Sequence, residues 1–183
     1  FMSVSYSPFS DGDVKGVVVS SRDITQTKKL EEKLRKQATM DPLTKVYNRR
    51  HFFELAEQEL LRAQRYKHTF SIIIFDIDHF KKVNDTYGHG IGDEVLQNLA
   101  QACRRKLRGN DILARYGGEE FVILLPETGL AQAQKMAERM RQECGKTAYE
   151  PKTTPLNTLH QAKMNFQISI TLSFGISHLE HGE

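Results

Sequence analysis

Two stretches of this 183-residue chain end apolar runs with closely spaced acids. In "FSIIIFDID", Asp76 and Asp78 close the run, and in "RYGGEEFVILLP", Glu119 and Glu120 stand between a glycine pair and the run that follows. Residues two apart share one side of a strand, so Asp76 and Asp78 face the same way. Carboxylates that end an apolar strand are costly unless something positive meets them. If the two strands are neighbours, three or four carboxylates converge on one edge of a sheet.

Such a convergence favours a bound divalent cation. Repulsion between neighbouring carboxylates destabilises a fold unless a cation neutralises it. Oxygen ligands without Cys or His favour Mg²⁺ or Mn²⁺ over Zn²⁺, and such a site is suited to gripping a nucleoside triphosphate for phosphoryl or nucleotidyl transfer. The alternative is that the acids cap turns and face water. The spacing favours metal for Asp76 with Glu119, whereas both interpretations stay open for Asp78.

Two further stretches could contact an anion. The glycines of "YGHGIGD" precede a helix, so their amides could approach a phosphate or a base. The stretch is not a dinucleotide fingerprint, because Asp93 stands at the third glycine position and no Walker lysine follows. Its alternative role is a loop with Asp93 near a helix N-terminus. The basic residues of "RRKLRGND" are typical of the C-terminal end of a helix, where the helix dipole favours cations.

No GxSxG, HExxH or Cys/His pattern supports a hydrolase.

Composition excludes several classes of function. The chain is 39% apolar and 27% charged, with a net charge of +3, which indicates a globular domain without a basic field for nucleic acid. No apolar run has the length of a membrane span and no signal peptide opens the chain, so we expect a cytoplasmic segment without membrane contact, in a parent protein that could be membrane-tethered. Cys103 and Cys144 have no metal-binding spacing, which favours buried thiols in a reducing compartment.

The N-terminal part of the chain is predicted to hold a strand pair and a helix. Residues 1–25 form two short strands around "SDGD", too few to bury a face, and are therefore the end of a larger domain. Residues 26–40 are rich in Lys, Glu and Gln, with Leu30 and Leu34 at helical spacing. This pattern fits a monomeric linker helix or a short coiled coil equally well.

The remainder alternates helices and strands. A helix capped by Asn48 is followed by a strand buried on both faces, "FSIIIFDID", and a polar loop, "KKVNDTYGHGIGD". A second amphipathic helix follows, and then a β-hairpin that turns on positive φ angles at Gly117 and Gly118. The chain continues with a third helix, a surface excursion over 145–165 and a strand in "FQISITLSFGIS". Because one strand pair is a hairpin, the fold class is α+β, with a mainly antiparallel central sheet flanked by helices. The apolar helix faces are predicted as follows: Phe52, Phe53, Ala56, Leu60 and Ala63; Ile91, Val95, Leu99, Ala102 and Lys106; Leu130, Ala133, Met136, Met140 and Cys144.

Three motifs in order closely resemble the GGDEF domain of diguanylate cyclases: "DPLTKVYNRR", "FDIDHFKKVNDTYGHGIGD" and "RYGGEEF". The resemblance runs from Asp41 to about Ser177. It implies a palm-like sheet similar to that of nucleotide cyclases, and condensation of two GTP into cyclic di-GMP with release of two pyrophosphates. It also implies Mg²⁺ or Mn²⁺ as cofactor and a homodimer for catalysis, since each domain holds one GTP.

The same resemblance assigns roles to individual residues. The implied metal ligands are Asp76, the carbonyl of Ile77, and Glu119, with Glu120 helping the metal or the attacking hydroxyl. Guanine would be read by Asn84 and Asp93, since a carboxylate can accept from the N1–H and N2–H₂ donors that adenine lacks. The implied phosphate contacts are the backbone of His79, Phe80 and Lys81, the Lys81 side chain, and the close-approaching glycines Gly117 and Gly118. The implied inhibitory product-binding site is the RxxD pair Arg108 and Asp111, with Arg139.

The resemblance also suggests a domain plan. Residues 1–25 resemble the C-terminal end of a PAS-type sensor domain, 26–40 a signalling linker helix, and 41–183 the GGDEF domain. Family members usually continue past the last strand into a helix with an "AKxxGRN"-like segment, which we expect to be missing here. The alternative to an enzyme is a non-catalytic GGDEF module that senses GTP or cyclic di-GMP; the intact motif residues favour the enzyme.

Overall fold

The computed structural model describes residues 1–11, 14–146 and 168–180, and the chain divides into two compact units, Phe1–Ala38 and Thr39–Glu183. In the first unit, β1 (Met2–Asp11) pairs antiparallel with β2 (Val14–Asp23), and α1 (Thr25–Thr39) follows. The strand pair and the helix predicted from the sequence are therefore confirmed. No residue of α1 is buried, and Leu30 and Leu34 are exposed, which leaves both interpretations of the helix open.

The second unit is built on a five-stranded sheet in the order β3-β5-β6-β4-β7. Its strands are β3 (Tyr47–Asn48), β4 (Phe70–Ile77), β5 (Ile112–Gly117), β6 (Glu120–Pro126) and β7 (Leu172–Leu179). Every pair is antiparallel except β3 with β5. The α+β class and the mainly antiparallel sheet are thus confirmed.

In the part of the chain that the structure describes, four helices accompany this sheet: α2 (Arg49–Tyr66), α3 (Phe80–Tyr87), α4 (His89–Arg104) and α5 (Leu130–Lys146). Helix α2 begins as predicted, because the Asn48 side chain accepts a hydrogen bond from the His51 N–H at 2.9 Å. It ends at Tyr66, and the C-cap residue Lys67 has a φ of 58°, in the left-handed region.

The core lies on both faces of the sheet around the interior strand β4. Phe75 stacks between Phe121 and Phe174, with ring centroids 5.5 and 5.2 Å away. Helix α4 contributes a long buried stripe, which includes Cys103; its buried residues are Ile91, Gly92, Val95, Leu96, Leu99, Ala100 and Cys103. The end of the sheet that carries the acids is therefore supported by a closely packed core of aromatic and aliphatic side chains.

The predicted loop over "KKVNDTYGHGIGD" is wrong. Most of it is helical, in α3 and the first turn of α4, with Gly88 between them at a φ of 86°. Phe80 is buried, and Val83 and Tyr87 pack against the core, so the segment carries one narrow apolar face among polar residues. Eight residues are too few for that face to stand out in the sequence.

Other predictions need smaller corrections. Strand β4 is not buried throughout, because Ile74 is 40% exposed, and Phe53 does not join the buried face of α2, because it is 51% exposed beside Tyr116. Helix α4 ends at Arg104, before Lys106. The side chain of Cys144 and residues 147–165 of the predicted excursion lie outside the described residues, while 145–146 belong to α5.

Candidate active site

Three of the acids singled out in the sequence lie at one edge of the sheet, and we call Asp76, Glu119 and Glu120 the carboxylate edge. Phe75 of β4 lies opposite Phe121 of β6. Asp76 follows Phe75 and Glu120 precedes Phe121, so these two acids lie across the end of the β4–β6 ladder. Glu119 is the next residue out. Segments 43 positions apart in the chain (119 minus 76) are thereby brought together.

The turn that carries Glu119 differs from its prediction. Gly117 still pairs with Glu120, so the loop consists of Gly118 and Glu119. Gly118 has a φ of 47°, but Gly117 is in the strand and has no positive φ. One positive φ at the first loop position is the sign pattern of a type II′ turn. Only Gly118 therefore requires glycine for its backbone conformation.

No hydrogen bond or ion pair from the described residues reaches the carboxylates of the carboxylate edge. Asp76 and Glu119 are half-buried and Glu120 is exposed. No three His, Cys, Asp or Glu side chains converge as metal ligands within the described ranges, so the expected cluster of three or four carboxylates is not found there. Two carboxylates and the Ile77 carbonyl nevertheless fit Mg²⁺, which takes few protein ligands and completes its shell with water and phosphate oxygens.

Asp78 is in a different environment. Its carboxylate Oδ1 accepts a 2.6 Å hydrogen bond from Ser173 Oγ, and its N–H donates to the Thr171 carbonyl at 3.0 Å. Hydrogen bonds from Ser173 and Thr171 hold the pKa of Asp78 below its usual value. Of the two interpretations left open for Asp78, these contacts favour a structural role.

The connection from β4 to α3 contains the predicted phosphate contacts. His79 precedes the helix in a left-handed conformation, with φ 57° and ψ 28°, and its side chain does not cap the helix. Phe80 is buried and Lys81 is exposed. The first amides of α3 are thus held beside the carboxylate edge without a side-chain cap, as an anion-binding helix end requires.

The two predicted guanine readers are on successive helices. Asn84 is on α3 and Asp93 on α4. The Asn84 side chain occupies the space above Gly92, where a Cβ would overlap its Oδ1. The absence of a side chain at Gly92 therefore makes room for Asn84 against α4, and Asp93, the next residue in the chain, is exposed.

The sequence reasoning missed an ion pair that holds the turn. Arg115 Nε donates to the Gly118 carbonyl at 2.8 Å, and its Nη1 lies 3.4 Å from both carboxylate oxygens of Asp41. Thr44 donates to Asp41 from both its N–H and its hydroxyl, each at 2.7 Å. Burial acts to raise the pKa of Asp41, but the hydrogen bonds from Thr44 and the Arg115 charge lower it below its usual value. An arginine two residues before a glycine pair was the available sequence signal.

The RxxD residues form a compact turn. The Arg108 N–H donates to Asp111 Oδ2 at 2.7 Å, and the Asp111 N–H donates to the Arg108 carbonyl at 3.1 Å. Two cavities, of about 300 and 270 Å³, are both lined by Arg108, Gly109 and Asp111. Arg139 reaches this region from α5, where its Nη2 donates to the Lys106 carbonyl at 3.4 Å. Arg108 and Asp111 are thus in direct contact, and Arg139 contacts the chain two residues before Arg108.

Comparison with known proteins identifies the family. The family model for "Diguanylate cyclase, GGDEF domain" matches residues 38–183. The chain belongs to the GGDEF family of diguanylate cyclases. The matched range begins within α1 and contains the carboxylate edge, the α3–α4 pair and the RxxD turn.

Individual relatives agree with this GGDEF assignment. Diguanylate cyclase DgcP of Pseudomonas aeruginosa is 40% identical over 152 residues, which are 83% of this chain and 21% of that protein. The structure of the coiled coil and GGDEF domain of DgcB from Caulobacter crescentus, in complex with c-di-GMP, has a TM-score of 0.76 at 28% identity and covers 87% of this chain and 79% of that one. The active GGEEF domain of a diguanylate cyclase from Vibrio cholerae has a TM-score of 0.57 at 34% identity, covering 69% and 72%. This chain has the same GGEEF order at 117–121.

Two further facts concern the length of the chain relative to its relatives and the character of its helices. The chain spans between about a fifth and a third of the length of the curated relatives it matches. Among the described residues, no helix combines the length and the apolar character needed to cross a bilayer.

Proposed function

We propose that this GGDEF domain condenses two molecules of GTP into cyclic di-GMP and releases two pyrophosphates. The observation that carries the proposal is that Asp76 and Glu119, whose carboxylates have no partner among the described residues, lie at the same end of the β4–β6 pair, next to the connection that leads into α3. Acids without partners on a packed sheet are expected where a ligand completes their environment.

The carboxylate edge would hold Mg²⁺ or Mn²⁺ through Asp76, the Ile77 carbonyl and Glu119. A cation there supplies charge stabilisation for the α-phosphate and for the attacking 3′-oxygen. Glu120 is exposed next to Glu119, where it can accept the proton of the 3′-hydroxyl or support the metal.

The remaining groups bind and orient the nucleotide. Amides of His79, Phe80 and Lys81 would donate to the β- and γ-phosphates, with the Lys81 ammonium as counter-charge. Asn84 and the Asp93 carboxylate would read guanine, because the carboxylate accepts from the N1–H and N2–H₂ donors. These contacts keep the α-phosphate in place for attack from the opposite domain.

The reaction requires two domains face to face. Each 3′-oxygen forms a bond to the α-phosphorus of the other GTP, the bond to the β-phosphate breaks, and the pyrophosphate leaves with its electrons. One GGDEF domain holds one GTP in this scheme, so we propose a homodimer in the productive state. Residues 1–25 are proposed to be the end of a PAS-type sensor, with α1 setting the pairing of the two domains. A chain that begins at Asp41 but dimerises and turns over like the present one would contradict this role of α1.

A direct assay tests the proposed activity. The protein is incubated with GTP and Mg²⁺, and cyclic di-GMP and pyrophosphate are quantified, with Glu119→Gln as the matched inactive variant. We expect one cyclic di-GMP for every two pyrophosphates, and no product from the variant. Tight GTP or cyclic di-GMP binding without any product would instead support the alternative, a non-catalytic sensing module.

Product inhibition at the RxxD turn is a separate proposal. It is supported by the two cavities lined by Arg108 and Asp111 and by Arg139 nearby, since a guanidinium can fork across a guanine edge or a phosphate. Arg108→Ala should leave the initial rate intact and abolish inhibition by added cyclic di-GMP. Unchanged inhibition in this variant would count against the assignment.

A further inference from the structure

The second acid of "FDID" is attached to the neighbouring strand rather than to the carboxylate edge. Asp76 of β4 lies opposite Ser173 of β7, and Ile77 lies opposite Leu172. Past the end of this ladder, the Asp78 N–H donates to the Thr171 carbonyl at 3.0 Å, and Ser173 Oγ donates to Asp78 Oδ1 at 2.6 Å. Main chain and side chain therefore both hold the outgoing chain against β7.

The surroundings of Asp78 separate it from the proposed metal ligands. Asp78 lines a cavity of about 370 Å³ together with His79, Lys82 and residues 168–171. The lining of this cavity, as far as the chain is described, does not include Asp76, Glu119 or Glu120. One Asp78 oxygen is already used by a short, charge-assisted hydrogen bond, which is among the stronger kinds.

The segment that this contact holds is conformationally unusual. His79 follows directly in the left-handed region, at a φ of 57°, which is an uncommon conformation for a residue other than glycine. Such a residue persists only where its surroundings fix it. The contact with Ser173 is one residue away on the N-terminal side, and the buried Phe80 is one residue away on the other. The Ile77 carbonyl and the first amides of α3 both belong to this short connection.

We propose that Asp78 is a positioning residue for the reaction: held by Ser173, it fixes the β4–α3 connection that carries the Ile77 carbonyl and the first amides of α3. This inference rests on the proposed function, because those groups act only if nucleotide and metal bind there. It excludes Asp78 from the metal ligands. A displacement of about 1 Å in such a connection is enough to slow a reaction a hundredfold.

Four variants test the proposal: Asp78→Ala, Asp78→Asn, Ser173→Ala and the double variant Asp78→Ala with Ser173→Ala. Ser177→Ala is the matched control, since Ser177 is another exposed serine of β7 and is paired with Ile72. We expect Asp78→Ala and Ser173→Ala each to lower kcat about tenfold, as loss of a charge-assisted hydrogen bond allows, with the half-saturating Mg²⁺ concentration within about twofold of wild type. The double variant should be no slower than Asp78→Ala. Asp78→Asn, which still accepts from Ser173, should restore most of kcat.

Two kinetic results would overturn the inference. A rise of tenfold or more in half-saturating Mg²⁺ in Asp78→Asn, with Ser173→Ala unaffected, would make Asp78 a metal ligand. Wild-type kcat in both Ser173→Ala and Asp78→Ala would remove any positioning role.

Amide hydrogen exchange over residues 77–82 separates this inference from the proposed function, because it needs neither GTP nor turnover. Faster exchange there in Asp78→Ala and Ser173→Ala, with Ser177→Ala unchanged, supports the role of the Asp78–Ser173 contact in fixing the β4–α3 connection, even if the wild type makes no product. Unchanged exchange in both variants contradicts it.

Discussion

Two groups of carboxylates in this domain differ in their partners. Asp41 accepts from Thr44 and lies beside Arg115, and Asp78 accepts from Ser173. At the carboxylate edge, Asp76, Glu119 and Glu120 have no such partner among the described residues. The same residue type thus serves as a support in one region and has no protein partner among the described residues in the other. Unpaired acids that remain on a well-packed sheet indicate where a ligand is needed.

The largest expected effect comes from neutralising the carboxylate edge. Asp76→Asn or Glu119→Gln should lower cyclic di-GMP formation at least a hundredfold, because each removes a ligand for the cation that stabilises the transition state. In the absence of divalent metal, neither variant should unfold at a lower temperature than the wild type, since each removes like-charge repulsion and breaks no contact. Product assays and thermal unfolding with and without Mg²⁺ check both statements.

Glu57→Gln is the control for these variants, because Glu57 is an exposed acid on α2, away from the turn. It should change neither rate nor unfolding temperature. If Asp76→Asn destabilised the metal-free protein as strongly as a core substitution, the edge would be a support like Asp41, and the comparison would fail.

A large effect on stability is expected when the ion pair between Arg115 and Asp41 is broken. Arg115→Gln should lower the free energy of unfolding by about 2–3 kcal/mol, because it leaves the part-buried Asp41 without its counter-charge and the Gly118 carbonyl without its donor. Arg115→Lys should recover only part of this loss, since one ammonium cannot reproduce the planar fork that serves both groups. Denaturant titration measures the difference. A loss in Arg115→Gln no larger than that in Glu57→Gln would show that the pair contributes nothing.

The parts of this site that follow from local chemistry could be predicted from the sequence. The cap at Asn48, the hairpin around the glycine pair and the acids closing β4 each depend on residues within a few positions. The supports could not be predicted, because they join distant segments: Arg115 meets Asp41 across 74 positions, and Ser173 meets Asp78 across 95. Helix α3 was not predicted for another reason. Its narrow apolar face packs against the core, but a helix of eight residues is not stable without that packing and gives only a weak pattern in the sequence.

The pairing of Asp41 also predicts how stability depends on pH. Its folded pKa lies below the usual 3.8, so the ionised form stabilises the folded domain at neutral pH. That contribution is lost as pH falls below about 4, through the folded value. Asp41→Asn should therefore lower stability at pH 7 and give a shallower decline below pH 4 than the wild type. Unfolding curves from pH 2 to 7 measure this, and parallel declines in the two proteins would contradict the assignment.

The smallest effect is expected where an acid is paired but exposed. Arg141 and Gln142 donate to Glu138 on α5, and these hydrogen bonds lower the pKa of Glu138 to about 2, further than the side chain's exposure would suggest. Water screens this pair, and ordering two long side chains offsets its attraction, so Glu138→Gln should leave the unfolding midpoint unchanged at neutral pH. Thermal unfolding at low and high salt, compared with Asp41→Asn, measures this. A loss as large as that of Asp41→Asn would mean that partner number alone, and not burial, distinguishes the supporting acids from the carboxylate edge.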